Sequence, residues 1–200
     1  MKNQFFLLSI ALFLLLTVNL NAQEYKVAMS SGKVIINEVN RVDIEGYSGS
    51  EVIIISDEKK SDDKEDSRAK GLKEISASGH TDNTGVGLAA EKDGNELVIN
   101  QLSRNNKNRY TIKVPNGVAV YYEHSSWEGK TINVKNLSSE LEISANYNSI
   151  MLENVTGPMS VNTVYGGIDG KLNAAPKNDI MLHSVYKYVD LTIPSGTKGN

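Results

Sequence analysis

The sequence contains no cysteine, so a thiol nucleophile, a disulfide and a lipid attached through a thiol are all excluded. Its three histidines, His80, His124 and His183, are too far apart in sequence for a local metal-binding motif. An excess of positive charge is also missing, since the net formal charge is −3, and nucleic-acid binding needs clustered Lys and Arg. We therefore expect no metal, no cofactor and no nucleic-acid partner.

The N-terminus carries an apolar run from Phe5 to Val18, preceded by the basic Lys2 and followed by Ala22, which offers a cleavage point. This pattern predicts a secretory signal peptide over residues 1–22, and the run is short for spanning a bilayer. The remaining residues, 23–200, are enough for a single domain. We expect a protein exported to the periplasm, the outer surface or the medium, and not membrane-spanning after signal cleavage.

Helical periodicity of ten or more residues is absent after the leader, and short runs instead alternate apolar and polar residues. Examples are "LEIS" from Leu141, "MSVN" from Met159 and "VDLTI" from Val189. Alternation with a period of two is typical of β-strands that bury one face. Gly, Pro and Asn residues separate these runs and predict turns between them.

The strand-like runs also repeat at a fixed spacing. The segment 134–150 aligns with 152–168 at an offset of 18, which places Leu141 over Met159 and Ile143 over Val161. "TVYGGID" from Thr163 returns as "SVYKYVD" from Ser184 at an offset of 21, so Ile168 and Val189 are predicted to stack in the core. Repeats of this length indicate stacked units that bury their apolar faces against neighbours.

These patterns predict an all-β fold, a β-solenoid or parallel β-helix-like stack with repeats of about 18–21 residues, clearest over 134–193. The alternative is an antiparallel sandwich, which has no reason to repeat a side-chain pattern at fixed spacing. Three runs in 32–56 are interpreted as the first turns of the same stack. Asp93-Gly94 predicts a hairpin.

The segment 57–70 has 11 charged residues in 14, which predicts a flexible, solvated insert. A calcium loop is the alternative, but the segment lacks the spacing of that motif. Trp127 and the pair Tyr121-Tyr122 are expected to cover the sheet or to pack under a loop.

A stack would bring Tyr147, Tyr165 and Tyr186 into a ladder of rings and would pair Asp169 with Asp190 at the strand spacing of about 4.8 Å. These five residues are the candidate binding residues. Two close carboxylates beside aromatic rings also match what a retaining glycosidase uses. The structural alternative is that the rings pack along a corner and that each Asp ends its strand through turn hydrogen bonds.

Several segments carry a family resemblance: "GKVIINEVNRVDIEG", "YTIKVPNGVAVYYEHSS", "ENVTGP", the two Val-Tyr-x-x-(Ile/Val)-Asp sequences and "LTIP". With them the chain resembles the putative-adhesin β-strand repeat family of Gram-negative envelopes, over most of residues 23–200. The resemblance implies an exported strand-repeat protein with no catalytic motif. Members of that family usually run on with further strands, so the sequence is expected either to lack a cap or to be a fragment.

From the sequence we expect a non-catalytic adhesion or interaction module of the cell envelope or surface, whose partner is a glycan or an envelope or surface protein. One alternative is a glycan-active β-helix enzyme that uses Asp169 and Asp190. Another is a structural or stress-related envelope protein without a specific ligand.

Overall fold

The structure is a computed structural model that describes residues 23–57, 75–76, 79–176 and 178–197. The predicted signal peptide and residues 58–70 of the charged insert lie outside these ranges. The described residues form fifteen strands: β1 Gln23–Ala28, β2 Gly32–Asn37, β3 Val42–Tyr47, β4 Glu51–Ser56, β5 Leu88–Asp93, β6 Glu96–Gln101, β7 Tyr110–Pro115, β8 Val118–His124, β9 Ile132–Lys135, β10 Leu141–Ala145, β11 Ile150–Glu153, β12 Met159–Thr163, β13 Ile168–Lys171, β14 Ile180–Ser184 and β15 Val189–Thr192. The all-β prediction is confirmed.

The strands form two mixed sheets. The eight-stranded sheet has the order β1-β4-β7-β3-β9-β11-β13-β15, and the seven-stranded sheet has the order β14-β12-β10-β8-β2-β6-β5. Alternate residues of both sheets point inward and form one hydrophobic core, in which Val34, Ile44, Tyr122 and Ile168 are buried. Neither sheet closes into a barrel within the described part of the chain.

From β8 onward, successive strands alternate between the seven-stranded and the eight-stranded sheet, so that two consecutive strands, one in each sheet, form a unit. Strands of successive units pair in parallel, and their register is the one that the sequence repeats predict. Leu141 pairs with Met159 and Ile143 with Val161 at an offset of 18 residues, and Met159 pairs with Ile180 at an offset of 21. The alternating pattern at fixed spacing therefore specifies the register of these strands.

The predicted pairing of Ile168 with Val189 is also present, in the parallel pair β13 and β15. Ile168 is fully buried, but 43% of Val189 is exposed, so the prediction that both lie in the core is wrong for Val189. The reason is that β15 is the edge strand of its sheet and has a neighbour on one side only.

The order of the units in space differs from their order in the chain. The unit β2–β3 lies between β6–β7 and β8–β9, because β2 pairs in parallel with both β6 and β8, and β3 pairs with both β7 and β9. After β7 the chain crosses over the first unit through Asn116 and Gly117 to begin β8. The repeat pattern identifies equivalent positions and carries no information about this order.

Antiparallel strands form the other end of the two sheets. β1 pairs with β4, β4 pairs with β7, and β5 pairs with β6. The interpretation of the runs in 32–56 as the first turns of the same stack is therefore wrong for β4. Only three residues separate β3 from β4 in the same sheet, and a parallel connection needs a longer crossover.

The predicted hairpin is confirmed in β5 and β6, where Asp93 pairs with Glu96. The two turn residues are Gly94 and Asn95, one position later than predicted. Gly94 has φ of 53°, a left-handed conformation that glycine adopts at low cost.

Candidate ligand-binding site

Tyr147, Tyr165 and Tyr186 lie at equivalent corners, where the chain passes from the seven-stranded to the eight-stranded sheet. Their rings stack with centroids 5.0 Å apart in both pairs and with interplanar angles of 17° and 4°. The backbone holds the corners together, since the amide of Tyr165 donates to the carbonyl oxygen of Asn146 at 2.7 Å and that of Tyr186 to Val164 at 3.0 Å. The predicted ring ladder is confirmed.

Stacking covers both faces of the Tyr165 ring with its two neighbours. The ladder therefore presents ring edges along its length, and an unstacked ring face only at its ends. About half of Tyr147 and Tyr165 (46% each) and 68% of Tyr186 remain exposed. An exposed aromatic strip of this kind contacts a ligand through edges rather than through a series of flat platforms.

Two hydroxyl side chains fix these corners in the same way. Thr163 donates to the carbonyl oxygen of Asn148 at 2.8 Å and accepts from the amide of Gly166 at 3.2 Å. Ser184, its partner in the next strand, donates to the carbonyl oxygen of Gly166 at 2.7 Å and accepts from the amide of Lys187 at 3.2 Å. The pair Thr163/Ser184 stands directly before both Val-Tyr repeats and was available as a sequence signal for corner capping.

Asp169 and Asp190 are paired residues of β13 and β15 on the outer face of the eight-stranded sheet. They line a shallow depression of about 380 Å³ with Met151 and Lys171, and this depression contains none of the three ladder tyrosines. The candidate residues therefore fall into two separate groups. The expectation that each Asp ends its strand is wrong, because both are second residues of a strand.

The carboxylate of Asp169 accepts a hydrogen bond from the hydroxyl of Tyr188 at 3.0 Å. This hydrogen bond and the charge of Asp169 raise the pKa of Tyr188, because they favour the protonated phenol. Asp169 thus has a structural partner on the neighbouring corner.

A groove of about 870 Å³ lies beside the ladder and shares Tyr147 with it. The loops after β2, β6 and β8 form most of its lining, together with Ile75 and Ser76. Trp127, in the loop after β8, is 71% exposed there. The expectation that Trp127 covers the sheet or packs under a loop is wrong. Seven residues separate β8 from β9, against four between β10 and β11, and this longer corner carries Trp127 outward.

Sequence reasoning missed the other polar groups of the groove, because they come from corners far apart in the chain. The side chains that line the groove include Glu38, Arg104, Asn105, Trp127, Glu128 and Tyr147. The one local sequence signal was Trp127, a tryptophan within the polar segment "HSSWEGK".

A buried polar cluster lies under this groove. Asn40 donates from Nδ2 to the carbonyl oxygen of Arg104 at 2.8 Å, so its Oδ1 is free to accept from Nε2 of His124 at 3.0 Å. Tyr122 stacks on the His124 ring and donates from its hydroxyl to the carbonyl oxygen of Val39 at 2.8 Å. These contacts join the corners that form the groove.

His124 is 1% exposed, and this burial lowers the pKa of its imidazole. The charge of Glu38, whose Oε2 lies 3.9 Å from Nε2, opposes this lowering. Burial also raises the pKa of the Tyr122 hydroxyl. Nδ1 of His124 and Oδ1 of Asn148 have no hydrogen-bond partner among the described residues.

Among the residues that the structure describes, no group of three or more His, Asp and Glu side chains is placed to hold a metal ion. The same residues include no helix of sufficient length and apolar character to span a membrane.

No protein-family model matches the sequence, and a comparison with curated proteins gives no match. Among solved structures, the chain is similar to a putative cell adhesion protein from Clostridium sporogenes, with 10% sequence identity and a TM-score of 0.39. The similarity covers 86% of this chain and 96% of that one. At this level it carries no argument about the function of the present chain.

Proposed function

We propose that this chain is an exported, non-catalytic adhesion or interaction module of the cell envelope or surface, of the putative-adhesin β-strand repeat type. Its strands would form a β-solenoid, a stack of two-strand units that carries a continuous aromatic corner. The observation that supports a binding role best is the ring ladder of Tyr147, Tyr165 and Tyr186, which runs directly into the groove with Trp127.

The three stacked rings leave a contiguous, partly exposed aromatic strip, and a contiguous apolar patch on a protein surface is typical of a contact site. The rings lie on corners that are fixed by backbone and hydroxyl hydrogen bonds. A partner would therefore meet a surface that needs little reordering, and the entropy cost of binding falls accordingly. Aromatic residues are also enriched at the centres of interfaces.

The second candidate is a glycan-active enzyme, favoured by the direct pairing of Asp169 with Asp190. The tyrosine ladder does not serve such a site, because the depression around the two aspartates contains none of its rings. The hydrogen bond from Tyr188 also engages Asp169. We therefore rank this candidate below a binding module.

The proposal is tested by solid-phase binding of the purified chain to immobilised Gram-negative envelope fractions and to a glycan array. Replacing Tyr147, Tyr165 and Tyr186 together by Ser should weaken binding at least roughly tenfold, as expected for aromatic interface residues. The control replaces Met181, an exposed apolar residue on the outer face of the seven-stranded sheet, by Ser.

Equal losses in the ladder variant and in the control, or no binding by the unmodified chain, would contradict the proposed function. Release of new reducing ends from any bound glycan, abolished by Asp169→Asn, would favour the enzyme instead.

A further inference from the structure

Hydrogen bonds between its loops hold the groove beside the ladder in place. Asn40 is 5% exposed and connects three corners, since its backbone amide donates to Oε1 of Gln101 at 3.0 Å and its side chain binds the Arg104 carbonyl and His124. Glu38 accepts from both the amide and the hydroxyl of Ser125, at 2.9 and 2.6 Å. The floor and one wall are thus fixed by buried or paired polar groups.

Three polar side chains of the groove lining are unengaged. Among the described residues, the side chains of Arg104, Asn105 and Glu128 make no hydrogen bond or ion pair with the protein. Together they offer donors from a guanidinium, acceptors from a carboxylate, and both from an amide. Trp127 adds a large flat ring at the same place, with 71% of its surface exposed.

The groove lining carries one positive charge, on Arg104, and two negative charges, on Glu38 and Glu128. An anion would be attracted by Arg104 but repelled by Glu38 and Glu128. A cation would be attracted by the two carboxylates but repelled by Arg104. A neutral polyhydroxy ligand is repelled by none of these charges. Each of its hydroxyls can also donate to a carboxylate or accept from the guanidinium. The C–H groups on one face of a sugar ring can also pack against the apolar face of the Trp127 ring.

We propose that this groove binds a neutral oligosaccharide, with one sugar ring on Trp127 and its hydroxyls on Arg104, Asn105 and Glu128. The inference rests on the proposed binding function and names its ligand class. Tyr147 lines the groove and is the first ring of the ladder, so a longer glycan would continue along the edges of Tyr165 and Tyr186.

The sequence provides its own probe, because Trp127 is the one tryptophan in 200 residues. The purified full chain is titrated with neutral hexasaccharides, namely β-1,4-glucan, α-1,4-glucan, β-1,4-mannan and β-1,4-xylan, while tryptophan emission is recorded. At least one of them should shift or quench the emission saturably. An oligogalacturonate, an oligolysine and an uncharged peptide of similar length serve as comparison ligands and should produce no saturable change.

Calorimetry then measures the affinity for the binding saccharide in variants. Trp127→Ala should weaken it roughly tenfold or more, Glu128→Gln and Arg104→Ala less, and Met181→Ala, on the outer sheet face, not at all. Near-ultraviolet circular dichroism of the tyrosines confirms that Trp127→Ala is folded.

The inference is overturned if none of the four saccharides changes the emission, if only a charged ligand or a peptide does so, or if Trp127→Ala binds as tightly as the unmodified chain. Failure here with continued ladder-dependent binding to envelope fractions would leave the proposed function standing with a different ligand. Loss of both kinds of binding would remove the two together.

Discussion

The ring of Tyr165 stacks on the ring of Tyr186, with centroids 5.0 Å apart and 4° between their planes. The two residues are 21 positions apart, whereas Tyr147 and Tyr165 are 18 apart. The segment between β13 and β14 takes up the three extra residues, so the next corner returns to the same register. The ladder thus depends on the sequence position of each tyrosine within its unit, not on a constant repeat length.

Strand register predicts opposite outcomes at two adjacent residues. Ile168→Asp would bury an unpaired charge in the core and should cost about 4 kcal/mol or prevent folding. Asp169→Asn keeps an acceptor for Tyr188 on the outer face and should cost about 1 kcal/mol or less. Urea unfolding of the two variants checks this, and similar midpoints would mean that the alternation is misassigned.

The register of β10 to β15 could be predicted from the sequence because Leu141, Met159 and Ile180 share one inward position in successive units. Side-chain alternation fixes which residues lie above one another once the strands are parallel. The position of β2–β3 in the middle of the stack could not be predicted. It depends on the crossover after Pro115. The alternating apolar pattern is common to the units, so it does not specify which unit lies beside which.

Gly166 should tolerate no larger residue. A Cβ at this position would clash with the backbone carbonyl oxygen of Asn148 on the preceding corner, and a backbone atom cannot move away cheaply. We expect Gly166→Ala to lower the free energy of unfolding by about 1–3 kcal/mol. The matched control is Gly167→Ala, whose Cβ would meet the exposed ring of Tyr188, at 2.9 Å, which can shift. Equal thermal stability of both variants would contradict the close packing of the corners.

Buried His124 should make stability depend on pH. Burial lowers its pKa in the folded state, whereas the unfolded chain titrates near pH 6.5. Between these two pKa values the unfolded state binds a proton that the folded state does not, so stability falls as the pH drops below about 6.5. The loss levels off below the folded-state pKa. Urea midpoints measured from pH 7.5 to 5 should follow this course.

The control for this pH dependence is His124→Gln, which keeps a donor for Asn40 but does not titrate. Its stability should change less over the same pH range than that of the unmodified chain, even if it is lower throughout. Parallel curves for the two proteins would show that another group causes the dependence.

The groove could not be predicted from the sequence for a physical reason. Its polar groups stand on corners after β2, β6 and β8, which only the parallel stacking brings together. The tyrosine ladder could be predicted because tyrosine recurs at the same position of successive units. Glu38, Arg104 and Trp127 do not belong to such a repeated pattern. A site used once leaves no periodic signal.

The most direct test of the parallel stacking is an engineered disulfide, which the cysteine-free sequence makes unambiguous. Asn162 and His183 are paired residues of β12 and β14, and their side chains are 3.0 Å apart between Oδ1 and Nδ1. The variant Asn162→Cys/His183→Cys should form an intramolecular disulfide on mild oxidation, seen by mass spectrometry of peptides under non-reducing conditions. The variant Asn162→Cys/Leu182→Cys places the two thiols on opposite faces and should remain reduced. Crosslinking of 162 to 182 in preference to 183, or equal crosslinking of both pairs, would contradict the stacking.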